Sequence, residues 1–152
     1  AMIGAYRHMF DFQTWVYRLG NIIGDGMKMG VVCDLVNKLE GNPDELEVLG
    51  DGTQRRTFLL VNDCINALLT SKQSDTYNIS GPETVTVGRL VEIILEEMTL
   101  PHTAIDYVGG HRGWRGDTPI VRLNTSKVQA TGWKPSCTSE EAIHKAVKEL
   151  IK

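Results

Sequence analysis

Four arginines lie beside glycines or at the ends of apolar runs: Arg18, Arg56, Arg112 and Arg115. A guanidinium presents a planar fork of N–H donors that can meet two phosphate oxygens at once, and a neighbouring glycine lets the backbone approach a ligand closely. Residues of these types in this setting suit a diphosphate. The competing use of the same side chains is pairing with the 19 Asp and Glu residues on a solvated surface. The histidines offer less. His8, His102, His111 and His144 are scattered, without the HExxH or HxH spacing of a metal site, and read as surface or core residues. Cys33, Cys64 and Cys137 also lack metal-ligand spacing and suit free thiols in a reducing compartment, the cytoplasm by default. No base stands near an acid or a nucleophile in the sequence, so no catalytic residue is assigned. Neither GxGxxG nor GxxxxGK[ST] occurs, so no cofactor-binding residue is assigned and no cofactor is expected on these 152 residues alone.

Bulk properties narrow the partners. A formal charge of −3 gives no electrostatic reason to expect nucleic acid or an anionic membrane, so any phosphate must be gripped locally. No run approaches the roughly 18 apolar residues of a membrane span, and the first residues lack the layout of a signal peptide. With 41% hydrophobic residues the chain can bury the core of one domain, or of part of one.

The elements that must position the arginines follow from periodicity. Residues 1–10 read as a helix already under way, with no cap before the apolar pattern, which predicts that residues precede Ala1. Residues 14–23 are β-branched and aromatic, as in a strand covered on both faces; deprived of neighbours, such a strand predicts self-association. Val32, Leu35, Val36 and Leu39 fall at helical spacing and Gly41, Asn42 and Pro43 stop that helix. Residues 46–49 and 56–61 predict short strands around a glycine turn at 50–53, with Asn62 and Asp63 capping the helix that carries Ile65, Leu68 and Leu69. A strand at 76–80 precedes an amphipathic helix with Val87, Leu90, Val91, Ile94, Leu95 and Met98 on one side. After a strand at 104–108, the loop 109–117 is long, polar and rich in Gly, Arg and Trp, as a ligand lid would be. Thr125 is placed to cap a short helix ending at Gly132. Thr138 and Glu141 form a capping box for a last helix that turns Ala142, Ile143, Ala146, Val147, Leu150 and Ile151 inward.

Five motifs in this order resemble one family. RLGNIIG at 18–24 resembles the RxxN(V/I)xG strand end of the extended short-chain dehydrogenases/reductases, and GDGTQRRTFLLVND at 50–63 their GDGxQxRDFIxVxD segment. YNISG at 77–81, RGDTP at 115–119 and GWKP at 132–135 resemble that family's YNIGxG, (R/K)GDxP and GWxP. The segment 109–119 is most similar to UDP-glucose 4-epimerase-like members. The resemblance implies an α/β fold: the last strands of a Rossmann-like parallel sheet plus a small α/β substrate-binding lobe. Residues 1–152 would be the C-terminal, nucleotide-sugar-binding part, the N-terminal NAD-binding part being absent. By the same resemblance Asn21 hydrogen-bonds the diphosphate region, Arg56 and Arg115 hold the diphosphate, and Asp117 positions the ribose or the loop. Residues 46–49 would run along the uracil, and the helix after Gly30 would cover the ligand.

The implied parent is an isomerase that interconverts UDP-glucose and UDP-galactose through a 4-keto intermediate with bound NAD, using an upstream Tyr and Lys. A nucleotide-sugar 4,6-dehydratase or reductase is the alternative within the family, and a non-catalytic nucleotide-sugar or protein-binding module the alternative outside it. The implied partners are a UDP-sugar, the missing N-terminal half and a second copy in a homodimer. Two positions depart from the family pattern: Thr57 stands where it has Asp, and Leu60 where it has an aromatic residue.

Overall fold

A computed structural model describes residues 2–152. The first half comprises α1 (Met2–Phe10), β1 (Val16–Leu19), β2 (Asn21–Ile23), α2 (Val31–Gly41), β3 (Glu45–Leu49), β4 (Arg55–Leu60) and α3 (Val61–Thr70). The second comprises β5 (Thr76–Ile79), β6 (Thr84–Thr86), α4 (Val87–Met98), β7 (Ala104–Val108), α5 (Ser126–Gln129) and α6 (Ser139–Leu150). Among the described residues no helix is long and apolar enough to cross a membrane.

Strand β4 divides the interior. Its consecutive residues Phe58 and Leu59 are both buried, and because successive side chains leave a strand on opposite faces, both faces must be covered. Phe58 enters a larger core with Leu35 and Leu39 of α2, Leu90 and Ile94 of α4, and Ile143 and Val147 of α6. Leu59 enters a smaller one with Cys64 and Ala67 of α3, Tyr77 of β5, Val128 of α5 and Trp133. Edgewise, β4 pairs in parallel with β2 and antiparallel with β6. Two further parallel pairs, β1 with β5 and β3 with β7, complete the sheets.

The single strand expected at 14–23 is two strands with different neighbours. The break falls at Gly20, whose N–H still bonds Ile79 O of β5 at 2.8 Å, while Asn21 already pairs with Phe58 of β4. A Cβ at position 20 would lie 2.5 Å from Ser80 Oγ, so only glycine lets the chain cross between the two partners. Nor are both faces covered: Trp15 and Leu19 are exposed. The strands at either side of the 50–53 turn do not pair with each other, since β3 joins β7 and β4 joins β6.

Two expected caps also differ. Helix α3 starts at Val61 with no side-chain cap, because the Asp63 carboxylate is buried and accepts instead from Ser136 N–H at 2.9 Å and Ser136 Oγ–H at 2.8 Å. Trp133 Nε1–H adds a 2.9 Å bond to Asp63 O, tying the Gly-Trp-Lys-Pro segment to the same helix. At α5, Thr125 makes no side-chain cap bond, and Asn124 Oδ1 accepts from Ser126 N–H at 3.0 Å in its place. The capping box of Thr138 and Glu141 at α6 is present as expected, whereas Ile151 lies beyond the helix and is exposed. Strand β6, three residues long, had no separate sequence signal.

Backbone meets backbone most closely where Gly81 passes β4. A Cβ on Gly81 would sit 2.1 Å from Phe58 O and 2.5 Å from Ser139 Oγ, neither of which can give way without parting strand from helix. Gly81→Ala should therefore lower the unfolding free energy by about 3 kcal/mol, the upper part of the usual range for overpacking; urea denaturation of the variant reads this directly, and an unchanged midpoint would contradict it.

Candidate functional site

The alternation that sends Phe58 into the core puts Arg56, and Gln54 just before the strand, on the same side of the chain. Beyond the edge of the core that side opens into a cleft of about 410 Å³. Asn21 enters it from the start of β2, Val31 and Asp34 from the first turn of α2, and Val48 and Leu49 from the end of β3. The loop after β7 closes one side with Gly113, Trp114 and Asp117.

Arg56 is fixed by three acceptors. Nη1 donates to Arg55 O at 2.9 Å and Pro119 O at 3.1 Å, and Nη2 donates to Asp117 Oδ1 at 2.5 Å. The two side chains are only 14% and 15% exposed, so the ion pair is shielded from most solvent screening. Asp117 Oδ2 in turn accepts from Gly113 N–H at 3.1 Å, and Asp117 N–H bonds Trp114 O at 2.9 Å. One carboxylate thus orients the guanidinium and pins the loop. Asn21 is held similarly: Nδ2 donates to Thr57 O at 3.1 Å. Thr57 itself points away from the cleft, buried with its hydroxyl 2.5 Å from Ser80 Oγ, so bracing of Arg56 comes from Asp117 rather than from the next residue.

Gln54 is 2% exposed. Its Nε2 makes a long 3.4 Å bond to Gly110 O, and its Oε1 has no partner among the described residues. The turn beneath requires its glycines: Gly50 and Gly52 have φ of 92° and 78°, and a Cβ on Gly52 would meet the Tyr107 ring at 2.8 Å. Burial, then the charge of Glu92, raises the Tyr107 phenol above its ordinary value. Bonds from the Thr53 hydroxyl and backbone hold the Asp51 carboxyl below its own. Both groups frame the turn rather than line the cleft.

Of the residues singled out from sequence, the structure brings Asn21, Arg56 and Asp117 together. Arg112 and Arg115 are exposed on the same loop and do not line the cleft, and Arg18 is exposed on β1. Leu60 packs against the larger core and does not line it either. Sequence reasoning assigned no role to Gln54 or Asp34, and counted Trp114 only as part of the lid-like loop 109–117. Two-residue alternation back from Arg56 could have found Gln54, and an aromatic residue within a glycine-rich loop could have flagged Trp114. Chemically the cleft offers a fixed cation, side-chain amides, the carboxylates of Asp34 and Asp117, and an indole. No cluster of metal-ligating side chains occurs among the described residues.

Parallel strands packed against helices, with a cleft at their margin, define an α/β protein with a Rossmann-like sheet. The chain belongs to the NAD dependent epimerase/dehydratase family, whose family model matches residues 1–88. It is 28% identical over 148 residues to a GDP-mannose 3,5-epimerase of Arabidopsis thaliana, covering 91% of this chain and 38% of that one. It is 25% identical over 151 residues to a putative UDP-glucose 4-epimerase of Methanocaldococcus jannaschii, covering 95% and 48%. A crystal structure of a UDP-galactose 4-epimerase superposes with a TM-score of 0.86 at 28% identity, over 99% of this chain and 49% of that one. The chain therefore spans less than half the length of each of these relatives.

The double role of Asp117 is open to test. Asp117→Ala should speed hydrogen exchange at the Gly113 amide by about tenfold, the equivalent of one ordinary hydrogen bond. Amides of α4 and α6 should exchange as before. Exchange at Gly113 that is unchanged would show that the loop is held by something else.

Proposed function

We propose that this chain is the nucleotide-sugar-binding part of an NAD-dependent epimerase that interconverts UDP-glucose and UDP-galactose. The observation that carries the reading is Arg56, presented to the cleft and locked there by Asp117. Arg56 takes the diphosphate oxygens, Asn21 donates beside it, and Arg115, exposed on the neighbouring loop, adds a second cation as the ligand enters. Gripping the nucleotide handle provides remote binding energy that orients the sugar for reaction elsewhere in the enzyme. Relatives bearing the names of UDP-sugar epimerases support the substrate class.

The dinucleotide fits poorly to these residues, because none of the glycine-rich turns leads from a strand into a helix as GxGxxG. NAD and the proton-transferring Tyr and Lys are assigned to residues outside these 152.

Calorimetric titration of UDP and UDP-glucose into the chain should give saturable binding. Arg56→Ala should weaken it by about 10- to 100-fold, the effect of losing hydrogen bonds to a charged group. Binding that is indifferent to Arg56, or absent at millimolar ligand, would overturn the proposal.

A further inference from the structure

Trp114 lines the cleft and yet is 65% exposed. An indole left that open surrenders apolar burial, and its place in the loop is not loose. The Trp114 carbonyl accepts from Asp117 N–H at 2.9 Å, and the preceding amide, Gly113 N–H, donates to the Asp117 carboxylate at 3.1 Å. The ring lies over the Gly116 backbone, where a Cβ would come within 2.3 Å of it. The loop also sits on the end of β3: a Cβ on Gly113 would be 3.7 Å from Leu49 Cβ. Leu49 lines the same cleft and is itself 48% exposed. Two large apolar groups thus border one cleft from two elements, and Asp117 joins their loop to the cation at Arg56.

We infer that Trp114 is a stacking platform for the base of the bound nucleotide, with Leu49 as the second apolar surface. This rests on the reading of the cleft as a nucleoside-diphosphate site. A ligand whose diphosphate is held at Arg56 carries a planar ring at one end, and stacking is the interaction an open indole supplies without selecting a hydrogen-bond pattern. Trp114 therefore sets affinity for nucleotides of either ring size, while the phosphate grip stays with Arg56.

UDP, GDP and inorganic pyrophosphate are titrated into the wild-type chain, Trp114→Ala and Trp114→Phe, by calorimetry and by tryptophan fluorescence. Trp114→Ala should weaken UDP and GDP by about 5- to 100-fold and abolish nucleotide-induced quenching, as expected for one base–aromatic stack. Pyrophosphate should bind as before, and Trp114→Phe should recover most of the nucleotide affinity. Equal losses for pyrophosphate and UDP would show that Trp114 only shapes the loop, and undiminished UDP binding would show that no stack exists; either result sinks the inference and leaves the proposed function standing. A wild-type chain that binds no nucleotide overturns the proposed function, and this inference with it.

Discussion

A buried hydroxyl, that of Ser139, ties the central strand β4 to the last helix. Strand β6 ends its pairing with β4 at Thr84 opposite Thr57, which leaves the backbone of Phe58 without a strand partner on that edge. Ser139 Oγ takes the place, accepting from Phe58 N–H at 3.1 Å and lying 3.0 Å from Phe58 O and 2.8 Å from Glu83 O. Its one proton serves one carbonyl at a time, so the bond is shared between them. Ser139 is fully buried, where an unpaired amide would cost about 1–3 kcal/mol. Because Ser139 is also the first residue of α6, completing the strand fixes where that helix begins, and the capping box of Thr138 and Glu141 fixes its direction.

The cleft inherits its geometry from that junction. With Phe58 anchored, strand alternation places Arg56 two residues back at the rim of the core, where a charged group can be partly desolvated and still reach ligand. Asp117 makes the position definite. The pair works at the margin: deeper burial would raise the desolvation cost, and full exposure would dissolve the bond into solvent. Asn21 is oriented from the neighbouring strand by the Thr57 carbonyl, so Asn21 and Arg56 stand on adjacent strands, while the loop after β7 supplies Asp117 and Arg115.

Much of the framework was legible in the sequence because it depends on local period. Helices α2, α4 and α6 carry their apolar residues at helical spacing, and Thr138 with Glu141 marks a helix start by a contact three residues long. What was not legible depends on distant partners. Nothing within residues 14–23 states that Gly20 must slip past Ser80, and nothing near Asn62 reveals that Asp63 is claimed by Ser136. The same holds at the cleft. Asn21, Arg56 and Asp117 were found through motif resemblance, but Arg18, Arg56, Arg112 and Arg115 look alike as sequence, and only the fold separates the arginine that meets a carboxylate from those that meet water. Gln54 was not legible because its distinction is an unpartnered buried oxygen, and the loop of Trp114 read as a lid without the exposure that sets its indole apart.

The link between Phe58 and Ser139 joins residues 81 apart in the chain. Such a contact forms only after a long loop has closed, so it adds nothing to the early, local steps of folding and much to the final cooperative one. Helices α2 and α4 can begin on their own pattern, but the strand between the two cores cannot be sealed until the last helix arrives. A chain released before residue 139 would therefore hold the arginine of its cleft on a strand with an open edge.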